Sequence, residues 1–484
     1  MKTIRSLALL SLAVPLGLCP AQEANPFLNQ EQEQQAPPGP SGDSFLTLTE
    51  HVLVPADILD SWLAGRPVKE DASELRAAVQ GWVHEGRATL DQSALSAGTA
   101  GCDYSNASTI EPIYPTEYMP STSPEDWMVS TAFETRYVGY GSNGDAVLKK
   151  GGLVIRAKND VIKMLPHPAP NKLMEETRQP GDVFKPEFWT AYAGQSPSTE
   201  IENADGYITP EAEAAEKKRK TPPSYPVGKT FLAFRGAEDR TEPVPDKSRE
   251  DKPDTAPLPA NHLVRLIFVR SEGTGSTEES TDPLPTDYHF SGKLLSVDHR
   301  TLSDWLQGRD LATASRELGD AIEKWDEAGK VTTLRTTSGS GRNGTLTELS
   351  DTNEVIYATE FVPGKRRPVG DGKSTQLEFA LACSFETRNV GSTLMAGIET
   401  DQGGPLLRVS FERILHGGFS VHHRVLRDGE WVPDITMPLF SGNRWLTSLR
   451  LKRGEWMLVG SGSAFGEGGQ FDPTRTVLAF VKVE

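Results

Sequence analysis

A chain of 484 residues is long enough for two or three domains of ordinary size. Its 37% hydrophobic and 24% charged residues allow a packed core, and 44 Gly with 35 Pro predict many turns. A formal net charge of −17 excludes a phosphate-backbone binder, which needs a dense basic surface.

The N-terminus places Lys2 and Arg5 before an apolar run from Ser6 to Leu18, then Cys19-Pro20-Ala21. This is the pattern of an export signal cleaved after Ala21, with 1–21 as the signal peptide. A lipid anchor on Cys19 is the rival, against which Leu18 stands awkwardly. No later segment has the roughly 20 consecutive apolar residues of a membrane helix. Residues 22–43, with NQEQEQQAPPGPSG, lack apolar periodicity and read as a disordered tether. Export leaves Cys102 and Cys383 able to pair, or to stay as two separate thiols.

From residue 44 onward the chain writes itself twice. FLTLTEHVLV and HFSGKLLSV open the two stretches as strands. A helix pair follows each. In the second stretch Asp298 is an N-cap and Gly308 a stop, and Leu318, Ile322 and Trp325 share a helix face. In the first, Leu75, Val79 and Trp82 do the same. Trp62 and Trp82 recur 243 residues later as Trp305 and Trp325, and all four read as core anchors. Gly86 and Gly329 fit the left-handed position that ends a helix.

At the same spacing IYPTEYMP (113–120) recurs as IYATEFVP (356–363). FETRYVG (133–139) then recurs as FETRNVG (385–391) after a nine-residue insertion in the second stretch. Alternation sets Phe385 on one strand face and Glu386 with Arg388 on the other, and Gly139 and Gly391 permit a turn or bulge. Tyr114 and Tyr357 read as large anchors with a polar tip. Glu117 and Glu360 must face solvent or find a donor, for which Arg136 or Arg388 is suitable. Phe133 and Phe385 are expected to be buried at matching places. Further on, PLLRVSFERI alternates as a half-buried strand, Arg453-Gly454 reads as a hairpin turn, and TVLAFVKV is a last buried strand. The expected fold class is α+β: two tandem repeats, each a helix pair packed on a mainly antiparallel sheet. Modules over 44–270 and 288–484 flank a Pro- and acid-rich linker over 271–287.

The octet, the FETR phrase, the Gly-turned GKTFLAFRG and the terminal LVRLIFVR resemble the C-terminal module of the secretin family. They resemble in particular the type II/III secretion-system secretin-like proteins of Planctomycetes and Verrucomicrobia. The likeness extends over roughly 45–270 and 289–484, in two degenerate copies. It implies an envelope protein of the periplasm or outer membrane, connected with a secretion or pilus-type system. Where that family carries a Val-Pro…Asp-Pro…Leu-Phe segment, this chain carries GSGSAFGEGGQFDPTRT.

Chemistry is sparse. His416, His422 and His423 lack the Cys or acidic companions of a zinc site, and no nucleophile-elbow, zincin or P-loop pattern occurs. No cofactor, metal or catalytic residue is expected. The reading is a non-enzymatic exported protein acting by assembly or protein binding, with membrane association open. A soluble periplasmic or surface binding protein using the module as scaffold is the alternative. A hydrolase with Glu117 and Glu360 as paired acids between the repeats is the third.

Overall fold

The computed structural model describes residues 43–66, 69, 71–119, 129–149, 152–164, 188–193, 224–237, 262–276, 286–370, 374–401, 404–427 and 430–484. The expected signal peptide, the tether up to residue 42 and the middle of the linker (277–285) lie outside them.

The first half runs β1 (Asp43–Pro55), α1 (Ala56–Leu63), α2 (Ser73–His84), β2 (Thr89–Thr99), β3 (Asp103–Glu111), β4 (Ile113–Met119) and β5 (Val129–Thr135). It continues with β6 (Val138–Lys149), β7 (Gly152–Met164), β8 (Phe188–Ala193), β9 (Ser224–Pro226), β10 (Thr230–Ala237) and β11 (Leu263–Ser276). The second half runs β12 (Asp287–Asp298), α3 (His299–Gln307), α4 (Leu311–Glu327), β13 (Val331–Arg342), β14 (Thr347–Val362), β15 (Arg366–Val369) and β16 (Ser374–Leu377). Its last strands are β17 (Leu381–Asp401), β18 (Gly404–Arg427), β19 (Glu430–Arg450), β20 (Met457–Phe465) and β21 (Phe471–Val483).

These strands build an 8-stranded sheet, β10-β11-β1-β2-β20-β21-β12-β13, and an 11-stranded sheet, β4-β5-β14-β17-β18-β19-β3-β6-β7-β8, with β9 on β7. Neighbouring strands in both sheets pair antiparallel. The α+β expectation of helix pairs on separate sheets is therefore wrong: the chain is mainly β, in two large sheets that both halves share. The reason lies in what covers what. The helices lie on one face of the 8-stranded sheet, where Leu302, Leu306, Leu311 and Leu318 meet Leu46, Leu48, Leu295 and Phe480. Val79 and Trp82 meet Val54 and Leu266 in the same way. The other face packs on the second sheet through Phe290, Leu294, Leu394, Val409, Phe411 and Trp445. Burial on both faces, at about 25 cal/mol per Å² of apolar surface, makes the sheet-on-sheet layer a second source of stability beside the helix layer.

The helix ends form where the sequence places them. Asp298 accepts from Thr301 N at 2.7 Å and caps α3, and Asp310 caps α4 through Thr313 N at 2.7 Å. Gly86 and Gly329 sit at φ 72° and 70° just past α2 and α4. The hairpin expected at Arg453-Gly454 does not form. The strand before it, β19, belongs to the larger sheet, and the strand after it, β20, to the smaller one. The same crossing occurs at Gly228, between β9 and β10. A turn residue specifies reversal of direction, not which sheet the next strand joins.

The ladders of the two halves have irregularities in the same places. β1 and β2 shift register between His51 and Val52; β12 and β13 shift between Leu294 and Leu295, 243 residues on. β4 and β5 shift between Pro115 and Glu117; β14 and β17 shift between Ala358 and Glu360. Gly139 (φ 144°) would bring a Cβ to 2.2 Å from Ser108 O, and Gly391 (φ 140°) to 2.2 Å from Asp351 O.

Candidate functional site

Side chains of the two halves converge in three places: the octet strands, an ion cluster between the halves, and a cavity. The octet strands meet directly. Glu360 of β14 stands opposite Ala132 of β5, and Glu117 of β4 faces the same Ala132 from the other side. Phe133 packs edge-on against Phe361 at 5.9 Å and against His422 at 5.1 Å. Ile113, Tyr357, Ile414, Ile435, Met437 and Phe440 complete this cluster. The ribbon formed by the end of β18 and the start of β19 thus covers one side of the octet strands. Tyr357 Oη donates to Glu386 Oε2 at 3.0 Å, and burial pushes the phenol up. Burial also lowers His422 to about 4, so its ring packs uncharged.

The expected signature residues divide. Trp82 is buried, Trp62 half-buried against the same cluster, and Trp305 and Trp325 meet edge-on at 5.6 Å. Phe133 is buried at 6% exposure, but Phe385 is 60% exposed, against the expectation of matching burial. The cause is that only one side of the shared strand group is covered. Tyr114 is half-buried and Arg136 lies just past β5, its N–H donating to Pro112 O. Glu117 and Glu360 are both exposed. Arg388 does not reach Glu360: its Nη2 donates to Glu111 Oε1 at 2.6 Å. Cys102 and Cys383 are not joined to each other.

Glu111 is buried and takes a second guanidinium. Arg444 Nη2 donates to the same Oε1 at 2.8 Å, and its Nε to Glu412 Oε1 at 2.5 Å. Arg444 also lies 5.0 Å over the Tyr137 ring. Burial opposes the Arg444 charge, but Glu111 and Glu412 outweigh it and hold the group firmly protonated. This cluster clamps β3 to β17 and β19. Sequence reasoning missed it because Glu111 carried no motif of its own.

The cavity, about 430 Å³, lies between β2, β3, β6 and β7 on one side and α3, β20 and β21 on the other. Asp91 lines it and accepts from Tyr140 Oη at 2.6 Å and Arg265 Nη2 at 2.6 Å, with Lys163 Nζ at 3.5 Å. Burial favours the neutral acid, but Arg265 and Lys163 hold it below the usual carboxylate range. Behind it, burial and then Arg265 lower His51 to about 3. Gln92 lines the cavity with a buried Oε1 that has no hydrogen-bond partner among the described residues. The same ladder positions in the second half hold Leu294, Leu334 and Val477 where His51, Asp91 and Arg265 stand in the first. No group of three or more His, Cys, Asp or Glu side chains among the described residues is placed to hold a metal ion. No helix is long and apolar enough to cross a membrane.

No family model matches the chain, and no curated protein sequence matches it. Several solved structures do, secretins among them. The type III secretion injectisome secretin InvG of Salmonella is 7% identical over 47% of this chain and 74% of that one, with a TM-score of 0.21. The type II secretion system secretin GspD of E. coli K12 is 14% identical over 47% and 56%, at 0.19. The type IV competence pilus secretin PilQ of V. cholerae is 8% identical over 92% and 61%, at 0.18. The chain thus spans little more than half the length of GspD and of PilQ. Overlap of this extent assigns no role to any residue here.

Proposed function

We propose that this chain is a non-enzymatic, exported envelope protein, built from two degenerate copies of a secretin-like module, that acts by assembly or protein binding in a secretion or pilus-type system. The observation that carries this reading is the length and surface of the last strands. β17, β18 and β19 run 21, 24 and 21 residues, against roughly 3–10 for strands in globular proteins. Their ends leave Phe385, Leu381, Phe419 and Val421 exposed. A closed binding scaffold has no need of strands that outrun their core and bare their apolar side chains. The shared register shifts and the paired Gly139 and Gly391 support duplication of one unit.

Cell fractionation with native-mass measurement tests this. Recovery from the envelope in a complex larger than one chain is expected. A free, strictly monomeric periplasmic particle would remove the assembly reading. It would favour instead a soluble binding protein, for which the cavity beside Asp91 and Gln92 is the supporting observation. Thermal-shift screening of small polar ligands, with Gln92→Leu as control, would test that second reading.

A further inference from the structure

The first half carries at one bulge a set of polar groups that the second half does without. In each half one residue of the strand after the helix pair has no ladder partner: Asp91 between Leu90 and Gln92, and Leu334 between Thr333 and Arg335. A bulge re-aims side chains, and Asp91, Gln92 and Ser93 all line the cavity, which strict alternation would forbid. Leu334 instead packs against the core. His51 and Arg265 have Leu294 and Val477 at the matching positions, and Tyr140, next to Gly139, has Ser392, next to Gly391. The fold therefore forms without a carboxylate, a guanidinium or a phenol at these places. A buried ion pair stabilises no more than a packed apolar set, so folding alone does not account for Asp91 and its partners.

The contacts of Asp91 are one-sided. Tyr140 Oη, Arg265 Nη2 and Lys163 Nζ all meet its Oδ2, and Oδ1 takes none of them. Gln92, 3% exposed, adds Oε1 as a second acceptor, with no hydrogen-bond partner among the described residues. Val138, Val161, Phe471 and Pro473 give the cavity apolar walls, with Tyr140 edge-on to Phe471 at 5.3 Å. Met164 and Pro473 are the exposed members of the lining and mark its mouth. We propose that this cavity binds a neutral saccharide unit, whose adjacent hydroxyls donate to Asp91 Oδ1 and Gln92 Oε1 while its C–H face lies on Phe471. This rests on the second reading above, the cavity as a binding site, and is independent of assembly. A cationic ligand fits less well because Arg265 and Lys163 already balance Asp91, and an anionic one because it would face the Asp91 carboxylate. A purely apolar ligand would seal two acceptors away from water with no donor, which a buried site penalises heavily. The volume of about 430 Å³ lies in the usual range for a small-molecule site.

Isothermal titration calorimetry of the purified chain tests this with neutral hexoses, N-acetylhexosamines and their disaccharides, beside glucosamine and glucuronate as charged controls. At least one neutral sugar is expected to bind, and each charged control should bind its site at least about tenfold more weakly than the neutral parent, the effect of an unmatched charge. Gln92→Leu should weaken sugar binding about tenfold, as for loss of one buried hydrogen bond. The triple change His51→Leu, Asp91→Leu, Arg265→Val copies the second half; circular dichroism should show it folded, and sugar binding should be lost. If the triple variant does not fold, Gln92→Leu decides alone. Soluble glycans titrated in parallel tell whether the unit is taken as a free sugar or as a chain end. No binding of any sugar or glycan at about 10 mM, weaker than nearly all specific sites, would overturn the proposal. So would binding untouched by these variants, or a charged control that binds more tightly than its neutral parent. If an aliphatic or charged compound binds instead and loses affinity in Gln92→Leu, the saccharide inference fails and the cavity remains a binding site.

Discussion

Phe133 and Phe385 open the same four letters, Phe-Glu-Thr-Arg, and end in opposite surroundings. Phe133 lies among Tyr357, Phe361, Ile435 and Met437, while Phe385 faces out. The local structure is alike: Pro115 stands opposite Phe133 and Ala358 opposite Phe385, with the register shift at the next residue in each ladder. What differs is the third layer. A single ribbon from the second half covers one side of the combined strands, and the side it covers holds Phe133 but not Phe385. Alternation along a strand decides which residues share a face; it does not decide which face meets a neighbour.

The largest expected effect tests that difference. Phe133→Ala should cost about 3–5 kcal/mol in urea unfolding, the range for emptying a buried aromatic site. Phe385→Ala, measured on the monomer, should change stability by no more than about 0.5 kcal/mol, as for ordinary exposed positions. Equal losses at the two sites would mean that Phe385 is covered in the folded monomer, and the contrast between the halves would collapse.

Much of this was legible in the sequence. The octets, the FETR phrases and the tryptophans mark strands and helices that exist, and Asp298, Gly86 and Gly329 mark helix ends because caps are decided by neighbours in sequence. The sharing of sheets was not legible. Seam contacts such as Ser96 opposite Gly460, or Asn106 Nδ2 donating to Ser461 O, join residues hundreds of positions apart. Gly460 matters there because a Cβ would come to 2.6 Å from Trp445. No periodicity or spacing in the sequence announces such a contact. The Glu111 clamp was hidden for the same reason: its donors, Arg388 and Arg444, are recruited by the third dimension.

An intermediate effect tests what the halves share. Gly139→Ala and Gly391→Ala each force a Cβ onto a facing carbonyl, Ser108 O or Asp351 O, at a φ that L residues rarely adopt. Each should lose about 1–3 kcal/mol, the cost of one strained backbone site. Similar losses are expected because the two backbones meet the same obstacle. A neutral result at one and a large loss at the other would separate the ladders and weaken the case for one duplicated unit.

The smallest effect at neutral pH concerns the interiors, where the halves diverge in chemistry rather than in coverage. The first half buries His51 beside Arg265 and Asp91; the second fills the matching positions with Leu294, Val477 and Leu334. Burial, reinforced by Arg265, lowers His51 from its usual 6.5 to about 3. The unfolded chain therefore binds a proton at this histidine below about pH 6.5 that the folded chain refuses until about pH 3. Stability drains across that window as the pH falls and is insensitive to this group above it. His51→Leu, which copies the second half, should flatten the stability-against-pH curve between pH 6 and pH 4 while leaving the slope above pH 7 unchanged. Urea midpoints at a series of pH values would show it. An unaltered acid slope in the variant would mean that other groups, His422 among them, carry the acid sensitivity, and that the polar interior of the first half is silent toward protons.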